Sequence, residues 1–173
     1  MPQERSGVIT FKGNPLTLLG PEIRVGDQAP NFSVLAKDLS PVTLESSRGK
    51  ARLFSVVPSL DTPVCDQQTR RFNEEAAKLP DNFEILTISM DLPFAQGRFC
   101  STAGIDRLKT ASDHREASFG LGYGVLIKEL RLLSRSIFVV DKNDTVRYVE
   151  IVKEVTSHPN YEAALEAARK AAS

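Results

Sequence analysis

The sequence has no net charge and no long apolar run. Its 22 basic and 22 acidic residues cancel, so nothing indicates a nucleic-acid or acidic-membrane partner. No apolar run approaches the ~20 residues that span a bilayer. Residues 1–7 lack the apolar core of a signal peptide, so we expect a cytoplasmic location. With 173 residues, the chain is large enough to bury its own core, and we predict a single domain over residues 1–173.

Cysteine and histidine are equally scarce. The chain contains two cysteines, Cys65 and Cys100, and two histidines, His114 and His158. A zinc site needs Cys and His ligands at closer spacing, so we expect no metal. The cysteines form no Cys-x-x-Cys pair, and a permanent structural disulfide is rare in the cytoplasm. The two thiols are therefore available for chemistry.

One stretch organises the rest of the chain, namely Pro58-Ser-Leu-Asp-Thr-Pro-Val-Cys65. The apolar run before it, residues 53–57, is short and rich in β-branched and aromatic residues, which predicts a buried strand. Residues 65–79 show helical periodicity. Thr62 is predicted as the N-cap and Pro63 as the first helical residue. The apolar face of this helix is predicted to carry Val64, Phe72, Ala76 and Leu79.

This arrangement places Cys65 at the third helical position, among unpaired N–H groups and at the positive end of the helix dipole. Both features favour the thiolate, which is the nucleophilic form of cysteine. The hydroxyl of Thr62 is expected within reach of the sulfur. A buried cysteine is commonly just a small apolar residue. Here, however, a helix N-terminus, a proline-rich loop and the end of a core strand coincide, and sites in α/β sheets usually form at strand ends.

The other segments predict an α/β protein with a thioredoxin-like fold, in which helices flank a central mixed β-sheet and a β-hairpin is added at the N-terminus. Residues 83–89 supply a core strand parallel to the first, with a right-handed crossover between them. The remaining predicted elements are a hairpin over about 8–19, short strands over 31–35 and 41–44, a short helix over 94–100 that frays into 101–104, a brief extended segment over 110–112, a short helix over 116–121, an antiparallel pair over 136–140 and 145–152, and a helix over about 160–172.

Two motifs resemble those of a known family. Pro58-x-x-x-Thr62-x-x-Cys65 resembles the active-site motif of peroxiredoxins, whose cysteine attacks the O–O bond of a hydroperoxide. Ser89-Met-Asp-Leu-Pro-Phe-Ala-Gln-Gly-Arg-Phe-Cys100 resembles the second-cysteine segment of bacterial thiol peroxidases, the atypical two-cysteine branch. Further matches at Gly13-Asn14-Pro15, at residues 36–40 and at residues 161–165 extend the resemblance over nearly the whole chain.

The resemblance implies a role for five residues. Cys65 would be the peroxidatic cysteine and Cys100 the resolving one. Thr62 would hydrogen-bond the sulfur and the bound peroxide, and Pro58 would shield the intermediate from water. Arg135, just before the predicted strand 136–140, would stabilise the thiolate and orient the peroxide. A fixed guanidinium suits that role because it favours an anion beside it and keeps its own charge.

The implied reaction is a thiol cycle. Cys65 becomes a sulfenic acid, Cys100 condenses with it to a disulfide, and a dithiol protein reduces that disulfide. The family implies thioredoxin as the reductant and a homodimer as the assembly. No metal, haem or flavin cofactor is expected, because sulfur supplies the electrons.

Two alternatives stay open at this point. Residues 65–71 fit Cys-x5-Arg, the phosphate loop of cysteine-dependent phosphatases, although the interval lacks glycine and Asp66 would repel a phosphate. The other alternative is a redox-sensing module that reports oxidation to a partner protein without substantial turnover.

Overall fold

The computed structural model describes residues 1–173, which form eleven strands, four α-helices and one 3-10 helix (Leu44–Ser47). The strands are β1 (Glu4–Phe11), β2 (Asn14–Leu19), β3 (Ser33–Leu35), β4 (Pro41–Thr43), β5 (Ala51–Val56), β6 (Phe83–Ser89), β7 (Lys109–Ser112), β8 (Leu126–Ile127), β9 (Leu132–Leu133), β10 (Ser136–Val140) and β11 (Val146–Ile151). The helices are α1 (Pro63–Ala76), α2 (Pro93–Ala103), α3 (Ser118–Gly122) and α4 (Tyr161–Ala172).

Seven strands form one mixed sheet in the order β11-β10-β5-β6-β7-β3-β4. Strand β6 runs parallel to both β5 and β7, whereas β10 runs antiparallel to β5 and β11. All six residues of β5 are buried, as expected for a strand covered on both faces. The predicted thioredoxin-like fold is confirmed, including the parallel β5–α1–β6 unit.

The alternation of side chains along β5 divides the core into two layers. Leu53 packs with Phe72 of α1, with Cys100 of α2 and with apolar residues of α4. On the opposite face, Phe54 packs with Phe119 of α3. Both cysteine-bearing helices therefore lie on the same face of the sheet, and each begins beyond the carboxyl end of one of two neighbouring parallel strands.

The N-terminal hairpin is present and is slightly longer than predicted. Strands β1 and β2 pair with each other, and β8 and β9 extend them into a second sheet in the order β1-β2-β8-β9. The sequence pattern did not predict β8 and β9, because a strand of two residues is too short to show a period-2 alternation.

The bounds of two helices differ from the prediction. Helix α1 ends at Ala76, so Leu79 lies in the following turn. Helix α2 extends to Ala103, and the predicted fraying over 101–104 is wrong. Gly104 ends this helix in the left-handed region, with φ 70°, and its N–H bonds the Cys100 carbonyl, as is typical of a glycine helix cap. None of the four helices combines the length and apolar character required to cross a lipid bilayer.

Candidate active site

The segment between β5 and α1 has the predicted helix start. Thr62 has the extended backbone of an N-cap, with φ −127° and ψ 150°, and Pro63 is the first helical residue. Cys65 is therefore the third. The Thr62 hydroxyl makes no capping bond and instead donates to the Ser59 carbonyl at 2.9 Å. Because the hydroxyl is turned back onto Ser59, no hydrogen bond joins it to the Cys65 sulfur, contrary to the sequence expectation.

Cys65 is completely buried in a small apolar cluster. It packs with Val57 and Leu60, and Phe99 of α2 packs against this cluster from the side. Pro58 is also buried, whereas Thr62 is exposed. The sulfur thus lies beneath an apolar layer that limits contact with water, and the exposed Thr62 marks the side open to solvent.

Arg135, the residue before β10, provides the polar contact of the Cys65 sulfur. Its Nη2 donates to Cys65 Sγ at 3.2 Å, its Nη1 to Gln68 Oε1 at 2.9 Å and its Nε to the Val155 carbonyl at 2.8 Å. All three guanidinium nitrogens therefore have fixed partners. Arg135 is only 2% exposed. Its cation is therefore held by these contacts rather than solvated at the end of the strand.

No carboxylate neutralises this cation, since none of the twelve ion pairs of the protein includes Arg135. A buried charge without a counter-charge is strongly unfavourable. The Cys65 sulfur lies beside this cation, at the positive end of α1. Two independent sources of positive potential therefore meet at the sulfur.

Gln68 is a site residue that the sequence reasoning missed. Its Oε1 accepts from Arg135, and its Nε2 donates to Ser55 Oγ of β5 at 2.8 Å. Gln68 thereby connects the guanidinium to the central strand and fixes its orientation. The sequence signal that could have identified it is a polar residue on the buried face of α1. The buried residues of this helix are Cys65, Gln68, Thr69 and Phe72.

Cys100 occupies a different environment from Cys65. It is 3% exposed and packs in the core layer beneath α1, α2 and α4. Its Sγ lies 3.8 Å from Thr110 Oγ1 of β7, within hydrogen-bonding distance for a thiol. Both cysteines are free thiols. Because they belong to separate clusters, bringing their sulfurs together requires at least one of the two segments to move.

The phosphatase alternative is wrong. Residues 65–71 are helical, and the Asp66 N–H donates to the Thr62 carbonyl at 2.9 Å, so the backbone does not form a phosphate cradle. Arg71, which would bind the phosphate, forms an ion pair with Glu162 at 2.7 Å on the surface.

Comparisons with known proteins identify the family of this chain. Residues 24–165 match the Redoxin family model. A thiol peroxidase of Halalkalibacterium halodurans is 67% identical over 163 residues, which are 94% of this chain and 98% of that protein. A thiol peroxidase of Bacillus subtilis is 60% identical over 161 residues, 93% of this chain and 96% of that protein. The crystal structure of a peroxiredoxin-like protein from Aquifex aeolicus has a TM-score of 0.89 at 39% identity, covering 97% of this chain and 98% of the other. The chain belongs to the Redoxin family and, within it, to the thiol peroxidases.

Proposed function

We propose that this protein is a thiol-dependent peroxidase that reduces hydrogen peroxide and organic hydroperoxides, with Cys65 as its nucleophile. The contact that carries the proposal is the 3.2 Å bond from the Arg135 guanidinium to the Cys65 sulfur. A thiolate held there has a lone pair to offer an electrophilic oxygen. The surrounding apolar cluster keeps competing water away.

In the first step, the Cys65 thiolate attacks one oxygen of the hydroperoxide. An S–O bond forms, the O–O bond breaks, and the leaving hydroxide or alkoxide takes up a proton to become water or an alcohol. Cys65 is oxidised to a sulfenic acid. Arg135 and the Thr62 hydroxyl bind and orient the peroxide, for which Thr62 exchanges its bond with Ser59 for one with the substrate. Pro58 shields the oxidised sulfur.

In the second step, Cys100 Sγ attacks the sulfenic sulfur. An S–S bond forms, and the hydroxyl group leaves as water. A disulfide needs Cα atoms within ~7 Å and side chains directed at each other. Because the two free cysteines lie in separate clusters, we propose that Cys100 leaves its core position on α2. This helix contains Gly97, which weakens it, and we propose that it unwinds locally for the disulfide to close.

Two electrons and two protons from a dithiol protein restore both thiols. We propose that this dithiol protein is thioredoxin. We also propose that the peroxidase is a homodimer, that residues 1–173 form a single domain, and that the peroxidase is located in the cytoplasm. The thioredoxin and homodimer assignments rest on the family resemblance of the two cysteine motifs. The cycle needs no bound cofactor, since the electrons pass only between sulfur atoms and the peroxide.

A coupled assay with thioredoxin, thioredoxin reductase and NADPH tests the function. The native protein should consume peroxide and NADPH catalytically, whereas Cys65→Ser, which is nearly isosteric, should consume neither. Circular dichroism of the variant controls for folding. A redox-sensing module would be oxidised once by peroxide and then show no sustained turnover, so that result would reject the peroxidase proposal.

A further inference from the structure

A single carboxylate connects the two cysteine-bearing segments. Asp91 lies between the end of β6 and Pro93, the first residue of α2. Its Oδ1 accepts from Ser59 Oγ at 2.7 Å, and its Oδ2 accepts from the Leu60 N–H at 2.8 Å. Ser59 and Leu60 belong to the loop that leads into Cys65. Two hydrogen bonds thus join the base of α2 to the loop over residues 58–62, which we call the peroxidatic loop.

Asp91 is itself held at the carboxyl ends of β6 and β7, at the base of α2. Its Oδ2 also accepts from Ser89 Oγ at 2.7 Å, and its carbonyl accepts from Ser112 Oγ of β7. No cation pairs with Asp91. The side-chain oxygens of Asp91 accept only from neutral donors, and hydrogen bonds to a carboxylate are stronger than those between neutral groups.

The loop side of the contact leads directly to the reacting sulfur. Leu60 packs on Cys65, and Phe99 of α2 packs against the same cluster. Ser59 provides the carbonyl that holds the Thr62 hydroxyl. Asp91 therefore fixes both the apolar layer above Cys65 and the turn that carries Thr62.

We propose that Asp91 is a positioning residue that locks the peroxidatic loop to the base of α2 and so couples the two steps of the cycle, an inference that rests on the proposed two-cysteine function. We call the bonds from Asp91 to Ser59 and Leu60 the lock. While the lock is intact, Leu60 and Thr62 hold the arrangement in which Cys65 reacts with peroxide. Disulfide formation needs the Cys65 and Cys100 segments to approach each other, and movement of the loop before Cys65 or of the base of α2 strains the bonds from Asp91 to Ser59 and Leu60. The lock thus favours the first step and opposes the second.

The test measures both steps in one turnover. Reduced protein is mixed with peroxide, quenched at intervals by alkylation, and analysed by mass spectrometry for thiol, sulfenic acid and disulfide. Asp91→Ala should slow Cys65 oxidation and accelerate disulfide closure, each by roughly tenfold, because charge-assisted hydrogen bonds are lost. Asp81→Ala is the matched control, since Asp81 is exposed in the turn after α1, and it should change neither rate.

Ser59→Ala removes only one arm of the lock and keeps the assay informative should Asp91→Ala fail to fold. It should shift both rates in the same directions by a smaller factor. In the double variant the effects should be less than additive, because both substitutions remove the same contact.

Equal slowing of both steps in parallel with a lowered melting temperature would overturn the proposal and leave Asp91 a purely structural residue. Unchanged rates in both variants would also overturn it. The native protein distinguishes this failure from failure of the proposed function, since native protein that forms no disulfide at all contradicts the cycle itself.

Discussion

Replacing Arg135 with methionine perturbs the proposed nucleophile most directly. Methionine retains much of the apolar stem but removes the cation that donates to Cys65, Gln68 and the Val155 carbonyl. The N-terminus of α1 remains, so the substitution isolates the contribution of the guanidinium from that of the helix. We expect slower alkylation of Cys65 and a slower reaction with peroxide.

The magnitude follows from the geometry. An opposite charge within ~4–6 Å typically favours ionisation of a neighbouring acid by about one to three powers of ten, which is ~1.4–4 kcal/mol. The 3.2 Å contact and the burial of both groups favour a substantial effect. The peroxide step should therefore slow by roughly tenfold or more, because the variant loses the cation beside the sulfur and because we propose that Arg135 also orients the substrate.

The assay is the rate of iodoacetamide alkylation as a function of pH, in a Cys100→Ser background so that only Cys65 reacts. Arg147→Met is the matched control, since its guanidinium pairs with Asp141 and is half exposed on β11. Thermal melting shows whether Arg135→Met remains folded. A folded variant with an unchanged alkylation profile and an unchanged peroxide rate would refute the role of Arg135.

Three further predictions concern the substrate side, α2 and pH. Thr62→Val should slow the peroxide step by roughly tenfold while leaving the rate of Cys65 alkylation unchanged; a loss of alkylation rate instead would mean that the hydroxyl acts on the thiolate. Residues 93–104 should exchange amide hydrogen faster in the disulfide form than in the reduced form, and equal protection would argue against unwinding of α2. Burial raises the pKa of Asp113 to about 6 from 3.8, even though the Phe119 and Gly120 N–H groups donate to it. Between about pH 4 and pH 6 the folded state then holds a proton that the unfolded chain releases. The free energy of unfolding of the native protein should therefore fall relative to that of Asp113→Asn as pH rises through this window. A difference in unfolding free energy that stays constant over the window would contradict the pKa shift.

Local signals in the sequence were sufficient to predict the start of α1. Thr62 favours the N-cap and Pro63 the first helical position, and the structure has Cys65 at the third position, as these preferences predict. The parallel pairing of β5 and β6 was predictable for a similar reason, because a strand, a helix and a strand in succession allow few arrangements.

Contacts between distant segments were not predictable in this way. Arg135 reaches Cys65 because β10 pairs with β5, and only the family resemblance placed it at the site. The bonds of Gln68 and Asp91 depend on how α1, β5 and the base of α2 pack. The Thr62 hydroxyl donates to the Ser59 carbonyl, a bond that depends on the geometry of the loop rather than on sequence spacing.

The central claim is that Cys65 is the oxidised nucleophile and Cys100 the thiol that resolves it. The most direct measurement is peptide mapping by mass spectrometry after one equivalent of hydrogen peroxide. In the native protein we predict a single disulfide joining the Cys65 and Cys100 peptides, and in Cys100→Ser a sulfenic acid on Cys65 that a dimedone label captures. Native protein in which Cys65 stays a free thiol while peroxide is consumed would contradict the account.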